Sequence, residues 1–170
     1  MKSSPVKRLA ADAVLLTLAL IFSYIESLIP VLLPIPGLKP GLANIVIMFV
    51  FYQLGKSDCA VISLLRVVLI SILFGNITAF AFSFMGAILS YLTLLASKSL
   101  YDKQRITFIG VSVMCAAAHN IGQMIAAVLM FGSFAVMSYL PWLLLLSVPT
   151  GIFNGLIMNL LGRYESLKLK

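Results

Sequence analysis

The sequence ITAFAFSFMGAILSYLTLLA, residues 77–96, contains no charged side chain. An α-helix that rises about 1.5 Å per residue needs about 20 apolar residues to cross the hydrocarbon core of a bilayer. This stretch has that length, so it predicts a transmembrane helix. With similar stretches elsewhere, the chain predicts six spans: Leu9–Ile29, Leu42–Gly55, Cys59–Phe74, Ile77–Ala96, Phe108–Phe131 and Leu140–Leu161. The second and third spans are short and need help from flanking residues or neighbouring helices.

The composition independently favours a membrane protein. Hydrophobic residues make up 62% of the 170 residues and charged residues only 10%, and the mean hydropathy is +1.12. A soluble domain of this size has no use for so much apolar surface. The net charge of +7 would favour nucleic acid in a soluble protein, but here the cations flank the spans, where they contact anionic lipid. We expect a multi-pass protein of the cell membrane that does not bind nucleic acid.

The positions of Lys and Arg predict the orientation. With the N-terminus inside, only Lys39 lies outside the cell, and Arg66 lies within a span. The cytoplasmic side then carries Lys2, Lys7, Arg8, Lys56, Lys98, Lys103, Arg105, Arg163, Lys168 and Lys170. Because Lys and Arg are enriched in cytoplasmic loops, we expect both termini in the cytoplasm. With no linker visible, we expect one all-α membrane domain over residues 1–170, a bundle of six transmembrane helices.

The segment from Pro30 to Gly41 joins the first two spans on the outer side. Its prolines forbid a continuous helix, and its apolar residues do not suit a freely solvated loop. Two interpretations stay open, a lid over the outer mouth of the bundle and a structured hairpin that only joins two helices. The link between the second and third spans is very short, which predicts antiparallel packing. Close helix packing is predicted where small residues lie four positions apart: Gly86 with Ser90, Ala116 with Asn120, and Gly151 with Gly155.

Arg66 is the least expected residue in a span, because apolar residues flank it on both sides. A charge at membrane depth costs about 3 kcal/mol or more. The guanidinium therefore needs a carboxylate, several carbonyl groups or an anionic ligand. Glu26, near the outer end of the first span, is the candidate carboxylate. Two alternatives remain open: a structural ion pair between Arg66 and Glu26, or contact of Arg66 with a negative group on a bound molecule.

Other polar residues at membrane depth fall into two groups. His119 and Gln123 share one face of the fifth span, with Asn120 beside them and small residues around them, a composition that suits a binding site. Asn44 opens the second span and Lys39 precedes it, near a helix N-terminus that favours an anion. The predicted substrate-binding site therefore consists of Glu26, Lys39, Asn44, Arg66, His119, Asn120 and Gln123.

Residue patterns for catalysis are sparse. The single His and the separated Cys59 and Cys115 lack the spacing of a metal site, and we expect both cysteines to pack in the interior. No phosphate-binding glycine loop ending in Lys-Ser or Lys-Thr occurs in the sequence, so we do not expect ATP hydrolysis. A prenyl synthase needs clustered aspartates to hold magnesium and diphosphate, whereas Asp12, Asp58 and Asp102 are isolated. We expect no catalytic residue, metal or cofactor in this chain.

Several motifs follow one another along the chain in an order that resembles one known family. They are Glu26 with Pro30, GLKPGLAN (residues 37–44), LRV (65–67), SFMGAILS (83–90), GVSV (110–113), AHNIGQ (118–123) and PTGIFNG (149–155). The chain resembles the Gx transporter family, often labelled heptaprenyl diphosphate synthase component I. That family is similar to the substrate-binding S components of energy-coupling-factor (ECF) transporters.

The resemblance implies a six-helix protein that captures a small vitamin-like, or anionic and isoprenoid-related, nutrient outside the cell. It implies delivery through a shared transmembrane scaffold protein and two ATPase subunits, which use ATP. Small residues of the first helix would meet the scaffold; the nearest equivalents are Ala11, Ala13, Thr17, Ala19 and Ser23. The label leaves a second function open, a non-catalytic membrane accessory subunit of heptaprenyl diphosphate or quinone biosynthesis. A purely structural bundle is a third.

Overall fold

A computed structural model describes residues 5–28, 42–74 and 77–168 of the chain. These ranges form six α-helices and one 3-10 helix: α1 (Pro5–Leu28), α2 (Leu42–Gln53), α3 (Lys56–Phe74), α4 (Ile77–Asp102), α5 (Phe108–Phe131), the 3-10 helix Phe134–Tyr139 and α6 (Leu140–Lys168). They contain no strand, and each predicted span coincides with one helix, which confirms the all-α prediction. The segment from Pro30 to Gly41 lies outside the described residues, so both interpretations of it stay predictions.

Four of the described helices have the length and apolar composition to cross a membrane, namely α1, α4, α5, and α6 with the 3-10 helix before it. The protein is therefore a multi-pass membrane protein. The 12 residues of α2 are apolar but shorter than a span, and most of them are buried by the other helices. The 19 residues of α3 include Lys56, Asp58 and Arg66. Six full crossings, and both termini in the cytoplasm, remain predictions.

Local sequence signals set the helix boundaries. Gly55 has a φ of 122° in the short turn between α2 and α3, in the left-handed region that glycine adopts without strain. The turn makes α2 and α3 antiparallel neighbours, as predicted. The Thr107 hydroxyl accepts a hydrogen bond from the Gly110 N–H at 3.3 Å and caps the start of α5. Gly132, with a φ of 61°, ends that helix.

Glycines bring the backbones of α4, α5 and α6 into contact. A Cβ atom added to Gly122 of α5 would lie 2.4 Å from the carbonyl oxygen of Met85 in α4. A Cβ added to Gly155 of α6 would lie 2.4 Å from the Cα of Ile109 in α5, and Gly151 approaches α5 in the same way. The predicted close packing at Gly151 and Gly155 is confirmed. The three helices form one tightly packed layer, as small residues allow in a membrane.

Charged residues from several helices meet at one end of the bundle. Arg8 Nη2, near the start of α1, lies 2.6 Å from Asp58 Oδ2 at the start of α3. The Tyr91 hydroxyl of α4 donates to the carbonyl oxygen of Lys56 at 3.1 Å. The charge of Asp12 also acts on Arg8 and on Asp58. Asp12 and Asp58 are far apart in the sequence, but the prediction that they are isolated is wrong for the folded chain, because α1 and α3 bring both carboxylates near Arg8.

The small residues of α1 do not all face outward. Ala19 is fully buried, at 0% exposure, and Ser23 lines an internal cavity. The exposed face of α1 is a shallow groove formed by Ala13, Val14, Thr17, Leu18 and Ile21. The outward surface of α1 therefore presents Ala13 and Thr17 among larger apolar residues, and Ala19 and Ser23 are not part of it.

Candidate functional site

A polar cavity lies between the helices at membrane depth. Its free volume is about 60 Å³, less than the range of about 300–1,000 Å³ that small-molecule pockets occupy. All six α-helices contribute to its lining, which consists of Ser23, Glu26, Asn44, Arg66, Val67, Ile70, Ser83, Ala116, His119, Asn120, Gln123, Thr150 and Asn154. Polar side chains from distant parts of the sequence thus converge inside an apolar bundle.

Most residues of the predicted substrate site meet at this cavity. Those that line it are Glu26, Asn44, Arg66, His119, Asn120 and Gln123. They come from α1, α2, α3 and α5, so the fold brings them together although the sequence separates them. Lys39 lies outside the described residues, and its placement stays a prediction. The role of all seven residues in binding also remains a prediction.

Glu26 forms the corner of the cavity between α1 and α2. Its side chain is buried, and Oε1 accepts a hydrogen bond from the backbone N–H of Ala43 at 3.3 Å. Ala43 belongs to the first turn of α2, where N–H groups lack helical partners and the helix dipole favours a negative charge. Glu26 therefore stabilises the start of α2 in addition to lining the cavity. Sequence reasoning missed this second role.

Arg66 carries the positive charge of the described lining. It is only 7% exposed, and the negative charge of Glu26 attracts it. Its guanidinium makes no hydrogen bond or salt bridge to the described part of the chain. A guanidinium has five N–H donors, so Arg66 holds unused donors beside the cavity. The attraction to Glu26 fits the structural alternative, and the unused donors fit the ligand alternative.

His119 and Gln123 form a pair on the cavity face of α5. Their Nε2 atoms lie 3.1 Å apart, so the amide Nε2 donates and the imidazole Nε2 accepts. The His119 ring lies against Gly86 of α4, where an added Cβ would be 2.7 Å from the ring Cε1. Gly86 thus provides the space for the ring. Gln123 is 3% exposed, and within the described ranges its Oε1 has no hydrogen-bond partner.

Asn120 has a structural contact as well as a place in the lining. Its Nδ2 donates to the carbonyl oxygen of Leu143 in α6 at 2.9 Å. This bond joins α5 to α6 beside the cavity, where an amide in hydrocarbon needs a partner. A change at Asn120 therefore affects packing and lining together, which makes it a poor probe of binding alone.

The predicted site left out four polar residues of the lining, namely Ser23, Ser83, Thr150 and Asn154. Ser and Thr occur in many transmembrane helices, where their hydroxyls bond to the preceding turn, as Thr150 Oγ1 does to the carbonyl oxygen of Leu146 at 3.0 Å. Their presence in a span is therefore no signal of a site. Asn154 did give a signal, because a mid-span amide that is 3% exposed must face the interior.

A smaller chamber adjoins the cavity. Its free volume is about 20 Å³, and it shares Asn44, Ala116 and Asn154 with the cavity. Its other lining residues are Ile47, Met48, Ser90, Leu94, Ser112 and Cys115. It lies nearer the end of the bundle that carries Arg8 and Asp58, because its α4 residues follow those of the cavity and its α5 residues precede them. The polar cavity thus continues into a narrower, more apolar space.

The cysteines pack in the interior, as predicted. Cys59 and Cys115 are buried free thiols, and the Cys59 thiol lies 3.5 Å from the carbonyl oxygen of Ile47. Across the described ranges, no three His, Cys, Asp or Glu side chains come together as metal ligands. The polar chemistry of the described site is therefore that of one guanidinium, one carboxylate, one imidazole and several amides and hydroxyls.

A comparison with protein-family models classifies the chain. The model described as heptaprenyl diphosphate synthase component I matches residues 15–161. The chain belongs to this family. The match spans every described residue that lines the cavity of this component I protein. No curated protein and no solved structure matches the chain. The family description names one component of a synthase and thereby implies a second component as partner.

Proposed function

We propose that this component I protein is the substrate-binding membrane subunit of an ECF-type importer. It captures a small vitamin-like, or anionic and isoprenoid-related, nutrient from outside and holds it in the polar cavity. A shared scaffold protein and two ATPase subunits then complete the import, and they use ATP while this chain catalyses no reaction. One observation carries the proposal: a buried guanidinium and a buried amide carbonyl line a cavity at membrane depth with hydrogen-bonding capacity unused.

The energetics of the bilayer support a binding function. Polar groups that only hold helices together satisfy one another, as Asn120 does with Leu143. Gln123 bonds to His119 through Nε2, but within the described residues its Oε1 and the guanidinium of Arg66 have no such partner. Leaving such groups buried and unsatisfied costs about 1–3 kcal/mol each. A ligand that completes their hydrogen bonds would recover this cost, and intramembrane charged residues commonly mark substrate paths.

The wording of the family description is the basis of a second candidate function, a non-catalytic accessory subunit of heptaprenyl diphosphate or quinone biosynthesis. In that function the chain would bind a soluble prenyl synthase at the membrane. The aspartates offer no argument that the chain holds magnesium diphosphate itself, because Asp12 and Asp58 share Arg8 at the bundle end and do not line the cavity.

Affinity purification separates the two functions. A tagged chain expressed in its own host should retain a transmembrane scaffold protein and two ATPases through mild detergent. Retention of a soluble prenyl synthase without ATPases would establish the accessory function and refute the transporter. Ala13→Trp places a large side chain in the exposed α1 groove and should release the scaffold. Leu129→Trp is the matched control, because Leu129 is 73% exposed on α5.

Cysteine labelling tests the six-span orientation with both termini in the cytoplasm. In a variant that lacks Cys59 and Cys115, single cysteines in segment 30–41 should react with an impermeant thiol reagent added outside intact cells. Single cysteines in segment 97–107 should react only after the cells are opened. The reverse pattern would overturn the orientation.

Substitutions at Arg66 distinguish ligand contact from structural pairing. Arg66→Lys keeps the charge but loses the planar donor fork, so it should weaken ligand binding with little effect on folding. Arg66→Met should remain folded and lose uptake, and adding Glu26→Gln should restore nothing. If Arg66→Met unfolds the protein and the double variant with Glu26→Gln restores folding, Arg66 is a structural partner of Glu26. Thermal stability and cargo uptake are the two measurements.

A further inference from the structure

We infer that the molecule bound in the cavity is a monoanion that also carries an N–H or O–H donor, with its anionic group on Arg66 and its donor on Gln123 Oε1. This inference rests on the proposed function, because it names the class of molecule that the binding subunit accepts. It arises from two buried groups of opposite hydrogen-bonding type that line one cavity.

The charges of the lining set the charge of the ligand. The described lining contains one permanent cation, Arg66, and one carboxylate, Glu26. One negative group on the ligand can accept from the unused donors of Arg66, whose charge Glu26 already partly offsets. Further negative charges on the same ligand would lie unpaired in a buried site that already contains Glu26, and buried unpaired charge is strongly unfavourable. The geometry therefore favours a carboxylate over a diphosphate.

Gln123 sets the second requirement. Its Nε2 is committed to His119 at 3.1 Å, and its Oε1 is a buried acceptor without a partner in the described part of the chain. The buried Gln123 Oε1 disfavours a ligand that places only another acceptor beside it, because Oε1 and the ligand acceptor then both lack a hydrogen-bond donor. A ligand hydroxyl or N–H group satisfies it. A buried site built to bond such a group discriminates strongly against the analogue that lacks it.

The space beyond the cavity limits the remainder of the ligand. The adjoining chamber is lined mainly by apolar side chains such as Ile47, Met48 and Leu94. That chamber has a free volume of only about 20 Å³, so it holds no more than a water-sized group. The ligand class is thus a small carboxylate with a hydroxyl or N–H donor.

Probes that differ by one group test the inference on the purified full-length chain in detergent. The set contains the three hydroxybenzoate isomers, benzoate, the three hydroxybenzamides and inorganic pyrophosphate, and calorimetry measures binding. At least one hydroxybenzoate should bind about tenfold more tightly than benzoate, as one additional buried hydrogen bond predicts. Hydroxybenzamides and pyrophosphate should bind more weakly than that isomer. Small molecules released from the freshly purified protein by heat should include a monoanion with a donor group when analysed by mass spectrometry.

Two variants assign the groups. Gln123→Leu should abolish the advantage of the hydroxybenzoate over benzoate. Arg66→Met should weaken both carboxylates. The inference is overturned if pyrophosphate binds most tightly, if the advantage of the hydroxyl persists in Gln123→Leu, or if neither the probes nor the released molecules include a bound monoanion with a donor.

These measurements remain separate from the test of transport. A chain that binds the hydroxybenzoate but retains no ATPases refutes the importer and keeps the ligand class. A chain that retains the scaffold and ATPases but prefers pyrophosphate keeps the importer and refutes the ligand class.

Discussion

Replacing Gly122 with Ala would disturb the contact between α4 and α5 behind the cavity. The added Cβ would lie 2.4 Å from the Met85 carbonyl oxygen, 2.7 Å from the Met85 carbonyl carbon and 2.8 Å from the Gly86 Cα. All three neighbours are backbone atoms, so no side-chain rotation relieves the overlap. An ordinary contact starts at 3.4 Å, and the two helices must therefore separate by about 3.4 − 2.4 = 1.0 Å.

The expected net loss of stability is about 2 kcal/mol. Forcing one extra carbon into a packed interior costs about 1–3 kcal/mol, and a backbone contact belongs at the upper end of that range. Ala recovers about 1 kcal/mol through its higher helix propensity. For a protein of this size, about 2 kcal/mol lowers the unfolding temperature by about 4–8 °C.

Gly110→Ala is the matched control on the same helix. Its Cβ would lie 3.6 Å from Ile106 Cβ, an ordinary contact, so the propensity gain should leave this variant at least as stable as the parent chain. The assay heats each detergent-solubilised variant and measures the fraction that stays monodisperse in size-exclusion chromatography. If Gly122→Ala survives heating as well as Gly110→Ala, the backbone contact between α4 and α5 is wrong.

Three further predictions follow from single contacts. Gly86→Ala should push the His119 ring away, because the added Cβ would lie 2.7 Å from that ring. The affinity for hydroxybenzoate should then fall about tenfold, as the loss of one buried hydrogen bond predicts, and the protein should lose less stability than in Gly122→Ala. Cys115 lines the chamber, whereas Cys59 does not line it and is 0% exposed. Mass spectrometry should therefore show that a small methanethiosulfonate modifies Cys115 before Cys59, and hydroxybenzoate should slow the modification of Cys115. Asp58→Asn should cost at most about 1 kcal/mol in the heating assay, since its partner Arg8 is 52% exposed and solvent screens such pairs.

The apolar runs in the sequence predicted the positions of the helices more accurately than they predicted the residues at which the helices end. The fifth span was predicted to its observed limits, Phe108–Phe131, where Thr107 and Gly132 cap the helix. The fourth helix continues to Asp102, well past the predicted Ala96. Hydropathy reports which residues suit lipid, and a helix that leaves the bilayer keeps its backbone hydrogen bonds in water. Apolar length therefore gives the membrane part of a helix and not its terminus.

The candidate site was predictable to the extent that its residues are costly in lipid. Glu26, Arg66 and Gln123 stand out in the sequence for that reason, and each lines the cavity. The bond from the Ala43 N–H to Glu26 was not predictable, because it depends on where α1 and α2 meet in space. Ser83 was not predictable either, since serine in a span is common with or without a site. Polarity identified the residues, and only the fold gave their contacts.

The glycine contacts between α4 and α5 mean that the wall of the cavity formed by these two helices cannot move outward. Glycine is the smallest residue, so Gly86 and Gly122 cannot be made smaller, and the backbones of α4 and α5 already touch at these positions. The opposite wall contains Val67 and Ile70 of α3 and Ser23 of α1, whose side chains have atoms to lose. Selection for binding of a bulkier molecule in the cavity should therefore accumulate shorter side chains on α3 first.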